Sequence, residues 1–262
     1  MSDIQASLAR NDTLPKRILH NAKSRGADIG FREKDLGIWQ SYSWAETAAQ
    51  VRALACGLAD MGLSRGDMVA IVGDNRPQLY WAFFAVQSLG GVPVPLYQDS
   101  VADEMQYVLE HAGVRFAIVE DQEQTDKLLS VMDQCPALER IIYEDPRGMR
   151  HYEQDFVSSY TGGQESGRAY DAANPDFYLS EVGAGNGGDL AVILYTSGTT
   201  GRPKGVMLSA DNFIKSSLRL AEMETLTEKE EMLCYMPMAW VGDHLFVVQG
   251  VVLGFTVSCP ES

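Results

Sequence analysis

The chain has 262 residues, 45% of them hydrophobic and 22% charged, with 21 Lys and Arg against 36 Asp and Glu for a net charge of −15. Such a chain is long enough to bury a sizeable core, as one large α/β domain or two smaller ones, and its apolar and charged fractions are those of a soluble globular protein. The acidic balance excludes a general nucleic-acid grip, which needs a basic face.

The first residues, MSDIQASLAR, carry early charges and no apolar run, so no secretory signal is read there. No stretch is apolar for the length of a bilayer span. Cys56, Cys135, Cys234 and Cys259 are far apart without metal-ligand spacing, which points to buried thiols in a reducing compartment. The expected setting is cytoplasmic.

A short helix is predicted from Leu14 to Ser24, led by Thr13 and Pro15. FREKDLGIWQSYSW, from Phe31 to Trp44, reads as two short strands around Gly37. Ser43 and Glu46 have the spacing of a capping box, and the apolar stripe Ala48, Val51, Ala55, Leu58 and Met61 continues as a helix to Gly62. Met68 to Val72 has the length and composition of a buried strand. Pro77 sits in the first turn of a helix that Gly90 and Gly91 close. Val92 to Leu96 is extended, and Ser100 with Asp103 opens a helix to Gly113. A strand at Val114–Val119, a helix at Gln122–Met132 and a strand at Arg140–Tyr143 follow.

Short apolar runs alternating with helices predict an α/β fold of mainly parallel sheets layered with helices. The composition shifts between Thr161 and Asp189, a segment with seven glycines and few large apolar residues. It reads as a mobile connection, with an active-site lid as the alternative.

Leu190 to Tyr195 is a buried-strand run. It breaks into Thr196-Ser197-Gly198-Thr199-Thr200-Gly201-Arg202-Pro203-Lys204-Gly205, and Val206-Met207-Leu208 resume a strand. Glycines allow close backbone approach, hydroxyls add donors, Lys204 adds a point charge and Pro203 keeps Arg202 extended. Such a loop suits a polyphosphate. It is not the common P-loop, because Pro203 stands at the second Gly position and Gly205 where Ser or Thr should follow the Lys. The bland alternative is a surface turn between two strands. Beyond it, Ser209 or Asp211 caps a helix bearing Phe213, Ile214, Leu218 and Ala221. A strand leads to Pro237-Met238-Ala239-Trp240-Val241-Gly242-Asp243-His244, then a buried helix at Leu245–Leu253 and a strand at Phe255–Cys259.

The run from Tyr195 to Val206 resembles the phosphate-loop motif of the adenylate-forming superfamily, Y-T-S-G-T-T-G-x-P-K-G-V. Ser41 to Glu46, Gly66 to Asn75 and Leu89 to Leu96 resemble its earlier signatures, and Tyr235 to Ala239 resembles the Y-L-P-L-A-H strand end of fatty acyl-CoA synthetases. The resemblance extends from about Phe31 to the end of the chain. It implies the N-terminal part of that superfamily's large domain, divided into a first α/β subdomain at residues 1–180 and the start of a second, carrying the loop, at 181–262.

The resemblance further implies that a carboxylate attacks the α-phosphorus of ATP, releasing pyrophosphate, and that coenzyme A then displaces AMP to give a thioester. Thr196, Ser197, Gly198, Thr199, Thr200, Gly201 and Lys204 would hold the phosphates, and Thr196 would help ligate Mg²⁺. The acid expected is a medium- or long-chain fatty acid. A non-catalytic nucleotide-binding module and an amino-acid or aryl-acid adenylation domain are the alternatives. Peripheral membrane contact and a homodimer stay open as partners.

Three positions depart from the family. Ala210 stands where His often follows L-S, Trp240 takes the His position of the strand end, and Asp243 stands where Glu is common. Trp240 either shapes the acyl pocket or packs as a core residue at the start of the next helix. His244 is a helix-start or a catalytic residue. His20, His111, His151, Arg76 and Lys215 are read as surface residues. The superfamily's adenine and ribose motifs and its C-terminal lysine are not in this sequence, so the chain alone is expected not to complete a turnover.

Overall fold

Local chemistry sets most element boundaries in the computed structural model, which describes residues 11–196 and 202–261. Thr13 caps α1 (Leu14–Arg25), its side chain accepting from the Lys16 N–H. Leu36 and Gly37, both at positive φ, turn β1 (Ile29–Asp35) into β2 (Ile38–Ser43). Ser43 and Glu46 cap α2 (Trp44–Asp60) reciprocally, as their spacing predicts. There follow β3 (Met68–Val72), α3 (Pro77–Ser88), β4 (Val92–Leu96), α4 (Ala102–Ala112), β5 (Val114–Val119), α5 (Gln122–Val131), β6 (Arg140–Tyr143) and β7 (Val157–Ser159). Ser100 does not cap α4; Val101 precedes it, and the Ser100 N–H turns back to the Tyr97 carbonyl.

These strands form a five-stranded parallel sheet in the order β4-β3-β5-β6-β7. The order reverses between β3 and β5, so their C-terminal ends open on a crevice of the kind where α/β sheets bind ligands. Successive residues of β3 serve opposite faces. Val69 and Ile71 join Phe31, Trp44, Tyr80 and Phe84 in one core, while Ala70 and Val72 meet Met105, Val108 and Leu128 in the other.

The glycine-rich segment is where expectation and structure part. It is neither a loose connection nor a lid but two helices, α6 (Tyr160–Ala173) and α7 (Phe177–Ala184). Two of its glycines, Gly163 and Gly167, are contact surface. A Cβ on Gly57 would lie 2.0 Å from the Gly163 carbonyl oxygen, and one on Gly167 would lie 1.9 Å from that of Ala53. Backbone meets backbone along the α2–α6 seam, and Arg52 closes it with a two-pronged bond to Asp171 at 2.8 Å on each arm. Low hydrophobicity here reflects close packing.

The remaining elements are β8 (Leu190–Thr196), β9 (Lys204–Ser209), α8 (Ala210–Glu224), β10 (Glu231–Leu233), α9 (Val241–Leu253) and β11 (Thr256–Cys259). Ser209, not Asp211, caps α8, in a reciprocal arrangement with Asn212. β8 lies beside β4 yet, among the described residues, pairs only with β9, antiparallel. Pro93 and Pro95 alternate with the residues of β4 that face β3, so they remove the donors β4 would offer on its outer edge. A four-stranded sheet in the order β10-β11-β1-β2 pairs β1 in parallel with β11, bringing residues from both sides of position 180 into one ladder. All four cysteines are buried free thiols.

Candidate functional site

The stems of the loop between β8 and β9 are held by strand register. Thr196 ends β8 directly opposite Lys204, which begins β9, and both side chains are exposed. Ser197, Gly198, Thr199, Thr200 and Gly201 lie outside the described residues. Gly205, opposite Tyr195, has a packing role. A Cβ there would meet Ile193 Cγ2 at 2.8 Å and the Tyr195 ring at 3.3 Å. Glycine at this position lets the tyrosine ring lie across the strand pair.

One turn of α4 approaches both stems. The Tyr107 hydroxyl donates to the Pro203 carbonyl at 3.0 Å, and the Arg202 guanidinium lies 5.6 Å from the Tyr107 ring centroid. His111 Nδ1 and the Tyr195 hydroxyl share a 2.7 Å hydrogen bond. His111 is exposed, as expected, and has a partner on β8. A cleft of about 700 Å³ opens here, lined among others by Tyr97, Tyr107, Thr196, Arg202, Pro203 and Ala239.

A second cleft of about 280 Å³ adjoins it through Tyr97 and is lined by Asp74, Asn75, Met236 and Met238 among others. Its wall is tied down by one amide. Asn75 Nδ2 donates toward the carbonyls of Met236 (2.6 Å) and Cys234 (3.2 Å) and toward Asp243 Oδ1 (3.2 Å). The Tyr80 hydroxyl lies 2.9 Å from both Asp243 oxygens. Asp243 is fully buried, and burial pushes its pKa up to about 7 against the hydrogen bonds of Tyr80 and Asn75.

His244 lies between the rings of Phe83 and Phe213, at 5.0 and 5.6 Å. Burial lowers its pKa to about 4, against a hydrogen bond to the Met238 backbone. It is therefore neutral at physiological pH, a core residue of α9. Trp240 precedes α9 at the N-cap position and is half-exposed, edge-on to Tyr97 with centroids 6.3 Å apart. The core-packing alternative for Trp240 fails on that exposure.

Arg76, at the sheet's reversal point, pairs with Glu120 at 2.5 Å, and Glu120 also accepts the Asp74 N–H at 2.6 Å. Arg76 is thus a structural clasp across β3 and β5. Glu144 nearby is raised to about 7, by burial first and then by the charge of Glu33. Lys215 pairs with Asp211 one turn away on α8.

Asp243 and Glu144 give stability a pH dependence of defined sign. Both carboxyls bind protons more tightly folded than unfolded, so stability is greatest below their unfolded values near 4 and declines as pH rises toward 7. Denaturant midpoints of Asp243→Asn measured from pH 4.5 to 8 are expected to decline less steeply than wild type. An unchanged slope would remove Asp243 from this account.

Tyr107, Tyr80 and Asn75 were not picked out as site residues by the sequence reading. Tyr107 and His111 had one signal, an i, i+4 pair on one helix face, but nothing in the sequence named what that face touches.

Residues 20–262 match the family of AMP-binding enzymes. The chain is 30% identical over 209 residues to the long-chain-fatty-acid–CoA ligase FadD15 of Mycobacterium bovis, covering 78% of this chain and 33% of that protein. It is 28% identical over 248 residues to the long-chain-fatty-acid–CoA ligase ACSBG1 of Macaca fascicularis, covering 88% and 32% respectively. The chain therefore spans about a third of the length of these curated relatives. Among solved structures, the fold matches a long-chain-fatty-acid–CoA ligase, FadD1, of Archaeoglobus fulgidus with a TM-score of 0.77 at 21% identity, over 94% of this chain and 46% of that one. With its mainly parallel α/β sheets and its Tyr195–Val206 motif, this chain belongs to the family of AMP-binding enzymes.

Proposed function

We propose that the chain is part of an AMP-forming acyl-CoA ligase that activates a medium- or long-chain fatty acid with ATP and passes the acyl group to coenzyme A. The observation that carries this reading is the antiparallel β8–β9 pair, which holds Thr196, a residue lining the larger cleft, opposite Lys204. An exposed ammonium facing a hydroxyl suits an anionic phosphate chain. In this reading Thr196, Ser197, Gly198, Thr199, Thr200, Gly201 and Lys204 hold the β- and γ-phosphates. Their contribution is positioning and neutralising charge as pyrophosphate leaves.

The donor set also fits Mg²⁺ carried in with the nucleotide. Among the described residues no group of three or more His, Cys, Asp and Glu side chains gathers to cage a metal. Mg²⁺ in nucleotide sites takes most of its ligands from phosphates and water, so one hydroxyl, Thr196, is a sufficient protein contribution. The metal's part is to neutralise charge on the phosphates.

Trp240 stands against Tyr97, which lines both clefts, and in this reading it shapes the entry of the acid. The loop-bearing part is taken to begin at residue 181, a position inside α7. No helix among the described residues is long and apolar enough to cross a membrane. The proposed setting is the cytoplasm, with peripheral membrane contact through the acyl substrate.

The test is product analysis with the whole enzyme, ATP, CoA and a panel of acids. Acyl-CoA formed with AMP is the expected result, and Trp240→Ala is expected to shift the chain-length profile by about 10-fold in relative kcat/KM. Release of ADP, or thioester formed only with aryl acids, would overturn the reading.

A further inference from the structure

Resting on the phosphate-loop reading above, we infer that Tyr107 and His111 of α4 are positioning residues for nucleotide binding, bracing the two stems of the loop at a fixed separation. The loop's strands meet at Thr196 and Lys204, and the chain is gripped next to that pair on both sides, at Tyr195 below it and at Pro203 on its loop side. On the incoming side the Tyr195 hydroxyl shares a 2.7 Å hydrogen bond with His111 Nδ1. On the outgoing side the Pro203 carbonyl accepts from the Tyr107 hydroxyl at 3.0 Å, and Arg202 lies over the Tyr107 ring.

Residues four apart stand one above the other on a helix, so a single helical turn spans both stems. The Tyr107 and His111 rings are 5.4 Å apart and tilted by 30°, and His111 meets the Tyr195 ring edge-on at 5.7 Å. The three rings form a continuous run of contacts from one stem to the helix.

The brace has a rigid footing. Met105, Val108 and Leu109 of α4 are buried in the second core, which also takes in Ile193 of β8, with Leu190 and Tyr195 packed against it. Helix and strand therefore share one apolar anchor beneath the polar contacts. Among the described residues β8–β9 pairs with no third strand, although β8 packs beside β4, and a two-stranded hairpin is marginal in water without such packing. The α4 contacts supply the missing restraint.

A loop held in its binding geometry before the ligand arrives loses less freedom on binding. Loss of either brace is expected to weaken MgATP binding about 3- to 10-fold, the range one hydrogen bond gives. The test uses the whole enzyme with MgATP in calorimetric titrations, comparing wild type with Tyr107→Phe, His111→Ala and His111→Asn. Tyr107→Phe keeps the ring and loses only the hydroxyl. His111→Asn keeps a hydrogen-bonding group near the Nδ1 position and is expected to restore most of the affinity lost in His111→Ala.

Hydrogen exchange of the peptide covering residues 195–205, without nucleotide, is the second measurement. Faster exchange in Tyr107→Phe and His111→Ala at an unchanged melting temperature supports the brace. If wild type binds and both variants bind equally well, the brace is overturned and the phosphate-loop reading stands. If wild type fails to bind MgATP, that reading falls for this chain, and exchange alone decides: unchanged exchange overturns the brace.

Discussion

Gly167→Leu is expected to abolish cooperative folding, and Gly167→Ala to cost about 3 kcal/mol or more, as for overpacking against atoms that cannot move aside. A Cβ at Gly167 meets the Ala53 carbonyl oxygen at 1.9 Å and the Gly57 nitrogen at 2.5 Å, both backbone atoms of α2. Relief requires moving one helix off the other. That would expose the Arg52–Asp171 bond and withdraw α6 from the apolar surface of α2 near Leu54. Gly183, inside α7 with open space where its Cβ would go, is the control. Gly183→Ala is expected to leave stability unchanged or raise it by about 0.5 kcal/mol, from helix propensity alone. Urea midpoints of the two alanine variants separate the cases. Equal midpoints would show that the α2–α6 seam tolerates side chains and that the glycines are there for some other reason.

Lys204→Ala in the whole enzyme is expected to slow adenylation by about 10²- to 10³-fold, the range for removing a preorganised charge from a transition state. Its side chain is exposed at the first residue of β9, so folding should be untouched. Circular dichroism and melting temperature check that point, and single-turnover adenylate formation gives the rate. Thr196→Ala, on the facing strand, is expected to act in the same direction with a smaller effect. Unchanged rates for Lys204→Ala would remove it from the phosphate site.

The contrast between these two residues shows what the sequence made legible. Lys204 sits in a run whose residue types carry the proposal of a phosphate ligand, and its pairing between two strands, which the apolar runs on either side predict, is what the structure bears out. Gly167 sits in a run whose composition looks like a linker, because a helix packed backbone to backbone needs little apolar side-chain surface. One capping box was readable because its pattern is local. Ser43 with Glu46 is a local pattern, and its geometry involves no distant residue.

Distant partners were the part that could not be read. β1 pairs with β11 across most of the chain, and no local feature of either strand names the other. The separation of β8–β9 from the parallel sheet depends on Pro93 and Pro95, which the sequence showed only as an extended stretch. Asp243 and His244 are adjacent, yet one lies beneath Tyr80 and Asn75 while the other is enclosed by Phe83 and Phe213. Trp240 was left between a pocket and a core role, and its half-exposed position against Tyr97 removes the second. The tie from α4 to both loop stems is of the same kind, since His111 looks like a scattered surface histidine until β8 is placed beside it.

ATP–pyrophosphate exchange by the whole enzyme, with no coenzyme A and with acids of increasing chain length, tests the central claim most directly. Exchange depends on reversible acyl-adenylate formation, so it reads the step assigned to the loop without the thioester step. The expected result is exchange that requires a fatty acid and falls sharply in Lys204→Ala. Exchange supported only by amino acids, or none with any acid, would contradict it.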